Sequence, residues 1–141
     1  MRVLTLVAAC LMLLAAAQPS ALSVQDAWVR AIPGAAVAGA YLTLHNGGTH
    51  PVVVSGVRSP AADTAMIHET TIVNGQSTMR AHEPLRIAPG ETVRFTPGGL
   101  HIMLHALKRP LAAGDEVPLV LLLEDGGSLT VQARVRALGD E

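Results

Sequence analysis

The 141-residue chain is nearly devoid of thiols: its only cysteine is Cys10. Beyond residue 10, neither a disulfide nor a thiolate metal centre can form. A blue-copper electron-transfer site, which normally needs a cysteine thiolate, is excluded with them. Aromatic side chains are scarce as well, with Trp28, Tyr41 and Phe95 the only three of the Phe, Tyr and Trp class; they are expected as core or rim anchors. Charged residues make up 15% of the chain and the net charge is −1. No basic cluster is present to track a phosphate backbone, so no nucleic acid partner is expected. A polybasic segment that would hold a membrane surface is missing too. The acids scatter among turns and no nucleophile lies at a readable spacing from a base, so an enzyme is not expected. There is no internal repeat and no low-complexity linker.

What is present begins with a leader. "MRVLTLVAACLMLLAAAQPSA" has one basic residue, Arg2, then an apolar run from Val3 to Ala17, then Gln-Pro-Ser. Basic start, short apolar segment and small residues form the pattern of a cleaved secretory signal. The run is short for a bilayer span, which takes roughly 20 residues. Residues 1–21 are therefore expected to be a signal peptide with its cut after Ala17 or within a few residues of it, and 22–141 a single exported domain. The alternative is a lipoprotein box, "VAAC", which would anchor the chain at Cys10; only six residues precede it.

After the leader, short β-branched and apolar runs alternate with breakers such as Pro33-Gly34, Asn74-Gly75, Pro89-Gly90, Pro97-Gly98-Gly99 and Gly126-Gly127. Strands are expected near 23–30, 38–45, 51–57, 65–73, 76–81, 91–96, 100–107, 117–124 and 128–137. The run "VPLVLLL" is continuous and so reads as buried on both faces. Many short strands with frequent turns, and no sustained helical period, predict an all-β antiparallel sandwich or barrel. About 120 residues can bury a core without disulfides.

One spacing carries chemistry: His68, ten residues, Met79, twenty-one residues, His101, one residue, Met103. His101 and Met103 share a strand face because side chains alternate. Asn74-Gly75 is a strong hairpin signal. A two-residue loop there pairs Val73 with Gln76, sets Thr70 opposite Met79, and leaves His68 diagonal to Met79, about 7–8 Å away between Cα atoms. Two such pairs meeting at one end of a sandwich supply up to four donors. A thioether is a soft, uncharged ligand that suits Cu(I) and serves Zn²⁺, Mg²⁺ or Ca²⁺ poorly, and imidazole also suits copper. Two methionines and two histidines form a neutral set that favours the monovalent ion. Met66 shares the face of His68 and is either core filler or an auxiliary ligand; His105 shares that of His101 and Met103 and is either a spare ligand for Cu(II) or a polar residue at the rim of the site. His45, His50 and His82 have no methionine in register and are expected on the surface. Gly98-Gly99 reads first as a tight turn into a strand.

That spacing resembles the metal motif of the PCuAC-type periplasmic copper chaperones (DUF461). The flanking words "GAYLTLHN", "PGGLHIMLHALKRPL" and "GDEVPLVLLLEDGGSLTV" carry the likeness from about Val24 to Arg136. The chain departs from it at His105, where methionine is frequent. The resemblance implies a cupredoxin-like Greek-key β-sandwich that binds Cu(I) through His68, Met79, His101 and Met103. It further implies a periplasmic, monomeric carrier that delivers copper toward the copper-A centre of cytochrome c oxidase, with oxidase subunit II and Sco-type thioredoxin-like proteins as partners. The competing expectations are a copper storage or tolerance protein and a metal-free structural or adhesive sandwich.

Overall fold

The computed structural model describes residues 21–140. The expected leader, with Cys10, lies outside the described residues except for Ala21. No helix occurs among the described residues. The strands are β1 Leu22–Arg30, β2 Val37–Asn46, β3 Val52–Arg58, β4 Ala62–Val73, β5 Gln76–Ala81, β6 Leu85–Ile87, β7 Thr92–Arg94, β8 Leu100–Leu107, β9 Glu116–Leu123 and β10 Ser128–Arg136. Nine of these coincide with the runs read from sequence. The short β6, directly after the Glu83-Pro84 bond, was not anticipated.

The strand order β4-β8-β2-β1-β10-β9-β3 closes on itself, because Val57 of β3 also pairs with Ala65 of β4. The result is a flattened seven-stranded ring, which leaves those strands no open edge. β5, β6 and β7 hang from β4, β3 and β2 respectively. The expected antiparallel arrangement needs one correction: β1 and β10 run parallel, with Trp28, Val29 and Arg30 beside Arg134, Val135 and Arg136. All other pairings are antiparallel.

Alternation decides what lies inside. Val29, Ala40, Leu42, Leu44, Ile67, Ile102, Leu104, Leu119, Leu121 and Val135 point into the ring and are fully or almost fully buried. The "VPLVLLL" run corrects a second expectation. Val117, Leu119 and Leu121 are buried, whereas Pro118, Val120 and Leu122 between them are only half-buried. A barrel wall covers one face of β9, so the strand is not a doubly buried one. In β1, the register shifts between Gln25 and Trp28, where Asp26 takes a φ of 53°. This bulge turns Trp28 to the outer face, opposite Tyr41. Their rings stack at 4.5 Å between centroids, and Arg136 lies 4.9 Å over Trp28. The three aromatics are all buried, as anchors should be.

Candidate metal centre

The β4–β5 hairpin adopts the register that Asn74-Gly75 implies. Asn74 and Gly75 take φ values of 52° and 77°, the two positive angles a type I′ turn requires. Val73 pairs with Gln76, Glu69 with Arg80, and Thr70 with Met79. Met79 therefore shares a face with His68, one diagonal step away. It stands on the outermost strand and is 59% exposed.

The second pair is closer to the first than the sequence required. β8 lies directly against β4, with His68 opposite His101, Met66 opposite Met103, and Thr64 opposite His105. Ile67, Ile102 and Leu104 point inward from the same stretches and are buried. The core thus anchors both strands from below while the imidazoles and thioethers face outward. On the far side of β8, Met103 pairs with Gly39 of β2. A Cβ on Gly39 would come within 2.9 Å of the Tyr41 hydroxyl oxygen, so glycine here gives the phenol its room.

The His68 and His101 rings are edge-to-face, 5.9 Å apart between centroids. The His68 and His105 rings are 6.3 Å apart. His101 is only 4% exposed. Its Nδ1 lies 3.0 Å from the Gly99 carbonyl oxygen, so Nδ1 carries the proton and donates it there. That leaves a lone pair on His101 Nε2. A backbone carbonyl orienting the distal nitrogen is how proteins commonly fix a metal-binding imidazole. His101 Nε2, His68 Nδ1 and His105 Nε2 are all shielded from solvent without a hydrogen-bond partner. Buried polar atoms are rarely left so, and these three lie along one outer sheet face, where each has a lone pair or N–H that no protein group satisfies.

Electrostatics oppose a positive charge on His68. The His68 pKa is lowered from its usual 6.5, first by burial and then by the neighbouring His101 and His105; the Glu83 carboxylate opposes the shift. Glu83 also accepts a hydrogen bond from the Ile67 backbone N–H at 2.8 Å, which ties the segment after β5 back to the centre of β4. Sequence reasoning missed this strap, because nothing local to Glu83 signals a partner sixteen residues away.

The remaining histidines are engaged elsewhere. His45 Nδ1 meets the Thr92 hydroxyl at 2.9 Å, His50 the Thr49 hydroxyl at 3.1 Å, and His82 the Glu69 carboxylate at 3.1 Å. Gly98 takes a φ of 83°. The Gly99 N–H donates to the Thr96 carbonyl, the tight turn expected ahead of β8. Asp115 closes the turn ahead of β9. Its carboxylate accepts from the Ala112 N–H and from Arg109, both at 3.0 Å, and its pKa is lowered accordingly.

A family model described as "Putative lipoprotein LpqE-like" matches residues 22–135. The "Putative lipoprotein Lxx21020" of Leifsonia xyli subsp. xyli (strain CTCB07) is 38% identical over 120 residues, which is 84% of this chain and 72% of the relative. Among solved structures, apo-DR1885 from Deinococcus radiodurans is similar at a TM-score of 0.67 and 32% identity, over 99% of this chain and 95% of that one. CuI-DR1885 from the same organism is similar at 0.65 and 33%, over 86% and 81%. The copper-bound PCuAC domain from PmoF2, at a TM-score of 0.69 and 23% identity over 83% and 93%, shares the fold.

Proposed function

The chain belongs to the LpqE-like family, of PCuAC type, and we propose that it is a non-enzymatic copper(I) carrier of the bacterial envelope. The observation that carries this reading is the set of three shielded imidazole nitrogens without partners, on the same face as Met103. Copper is cargo here, and the donors that hold it are His68, Met79, His101 and Met103. Two neutral imidazoles and two thioethers match the softness and the single charge of Cu(I). The similarity to CuI-DR1885 supports the same ion.

This carrier works by ligand exchange. Met79 lies exposed on the edge strand, so an acceptor can displace that sulfur first. His101, held by the Gly99 carbonyl, lets go last. A thiolate binds Cu(I) more strongly than a thioether, so transfer to a cysteine-bearing acceptor runs downhill. That direction fits delivery toward the copper-A centre of cytochrome c oxidase, with Sco-type proteins as co-workers, in the periplasm. Export through the leader and lipid anchoring at Cys10 are the two ways of reaching that compartment, and the names of the relatives favour an envelope location.

The test is an anaerobic Cu(I) titration of the chain without its leader, against a chromophoric chelator, beside a His101→Ala/Met103→Ala variant. One tightly held equivalent in the parent, held about tenfold or more weakly in the variant, is the expected result. Equal binding by both would reject the site.

A further inference from the structure

The donors on the outer face extend beyond the four. Three successive outward-facing rows of the β4–β8 ladder carry them: His68 opposite His101, Met66 opposite Met103, and Thr64 opposite His105. His68 and His105 are two rows apart, yet their rings are 6.3 Å apart, nearly as close as the 5.9 Å between His68 and His101. The His68 ring therefore spans the middle row. With a metal–nitrogen bond of about 2 Å, two imidazoles on one ion have ring centroids at most about 6.4 Å apart. Either pair satisfies that limit. His101 and His105 stand four residues apart on one strand, about 13 Å between their Cα atoms. Among the described residues no three His, Cys, Asp or Glu side chains ring a common point.

We infer that this face holds a second copper(I) station, formed by Met66 and His105, and that His68 serves both stations in turn. The inference rests on the carrier reading above and adds a place for the ion to go. Met66 is 38% exposed and sits directly across from Met103, so its sulfur borders both positions. His105 Nε2 is shielded and without a partner, like its counterpart on His101. At the first station the ion has His101, Met103, Met79 and His68; at the second it has His105, Met66 and His68. Moving between them requires a swing of one imidazole and no backbone change. The far station lies where His105 pairs with Val37, at the opposite end of the donor face from the β4–β5 hairpin.

Two exclusive stations add their binding constants, so losing one is masked while the other remains. Cu(I) affinity is measured by chelator competition for the parent, Met66→Ala/His105→Ala, His101→Gln, and the triple variant, each with its copper-free melting point recorded to confirm folding. The expected losses are less than about twofold for Met66→Ala/His105→Ala, about tenfold for His101→Gln and about a hundredfold for the triple variant, well beyond the product of the separate losses. In His101→Gln, the His105 ring resonances should shift as Cu(I) is added. A triple loss equal to the product, with the His105 resonances unmoved, overturns the second station and leaves the carrier reading standing. A parent chain that takes up no Cu(I) overturns both.

Discussion

At the scale of single residues, the site depends on which nitrogens keep a lone pair. His101 does so because its other nitrogen is committed to the Gly99 carbonyl. His68 does so because burial and two imidazole neighbours oppose its protonation. The sign of the pH dependence follows. A histidine whose folded pKa lies below 6.5 is protonated more readily in the unfolded chain, so stability is intact above pH 6.5 and falls as pH drops through the folded value. The copper-free melting point should decline on acidification from pH 7 to 5, and decline less in His68→Gln; parallel profiles for the two would remove His68 as the cause. Sulfur makes a different prediction. Met79→Ala or Met103→Ala should weaken Cu(I) roughly tenfold, about 1.4 kcal/mol, and weaken Cu(II) less, because thioethers discriminate for the softer ion. Equal losses for both oxidation states, in parallel titrations, would argue against thioether coordination.

At the scale of elements, the β4–β5 hairpin shows what a sequence reveals and why. Asn74-Gly75 dictates a two-residue turn from local angles alone, and the turn sets every pair from Val73–Gln76 back to His68–Ala81. Parity along β8 was equally legible, because it is a property of one strand. Which strand lies beside β8 was not, since that depends on closure of the whole ring. The direct facing of His68 and His101, the approach of His105, and the parallel β1–β10 pair are all of this non-local kind. β6 was missed because its three residues fall between Pro84 and the Pro89-Gly90 breaker, and "VPLVLLL" was misread because a continuous apolar run does not say how many of its faces are covered. The hairpin supports a test of its own. Gly75, at φ 77°, has open space around it, so Gly75→Ala is resisted by backbone angle alone, at about 1–2 kcal/mol. Chemical denaturation should register that loss. If the turn also positions Met79, Cu(I) affinity should fall in the same variant, while a variant that loses stability alone would show the hairpin to be merely structural.

At the scale of the molecule, the proposed copper donors and the core occupy opposite faces of the same two strands. Ile67, Ile102 and Leu104 complete a barrel interior that needs no ion, and no thiol is present beyond residue 10 to bind one structurally. A structural metal site behaves otherwise: the fold fails without its ion, as in small zinc domains. A carrier that must lose its cargo cannot afford that dependence. The copper-free chain should therefore keep its β-sheet circular dichroism and melt cooperatively. Cu(I) should then act as a ligand that selects the folded state. At a free concentration of a hundred times the dissociation constant, it adds about 2.7 kcal/mol, which for a domain of this size raises the melting point by roughly 10 °C. Adding a chelator should return the melting point to the copper-free value without unfolding the chain at room temperature. Calorimetry with and without Cu(I), and after chelation, reads all three states. Collapse of the fold on chelation would make copper a structural component. No shift on loading would mean that the donor face binds no Cu(I) in preference to the unfolded chain, and the carrier reading would fail with it.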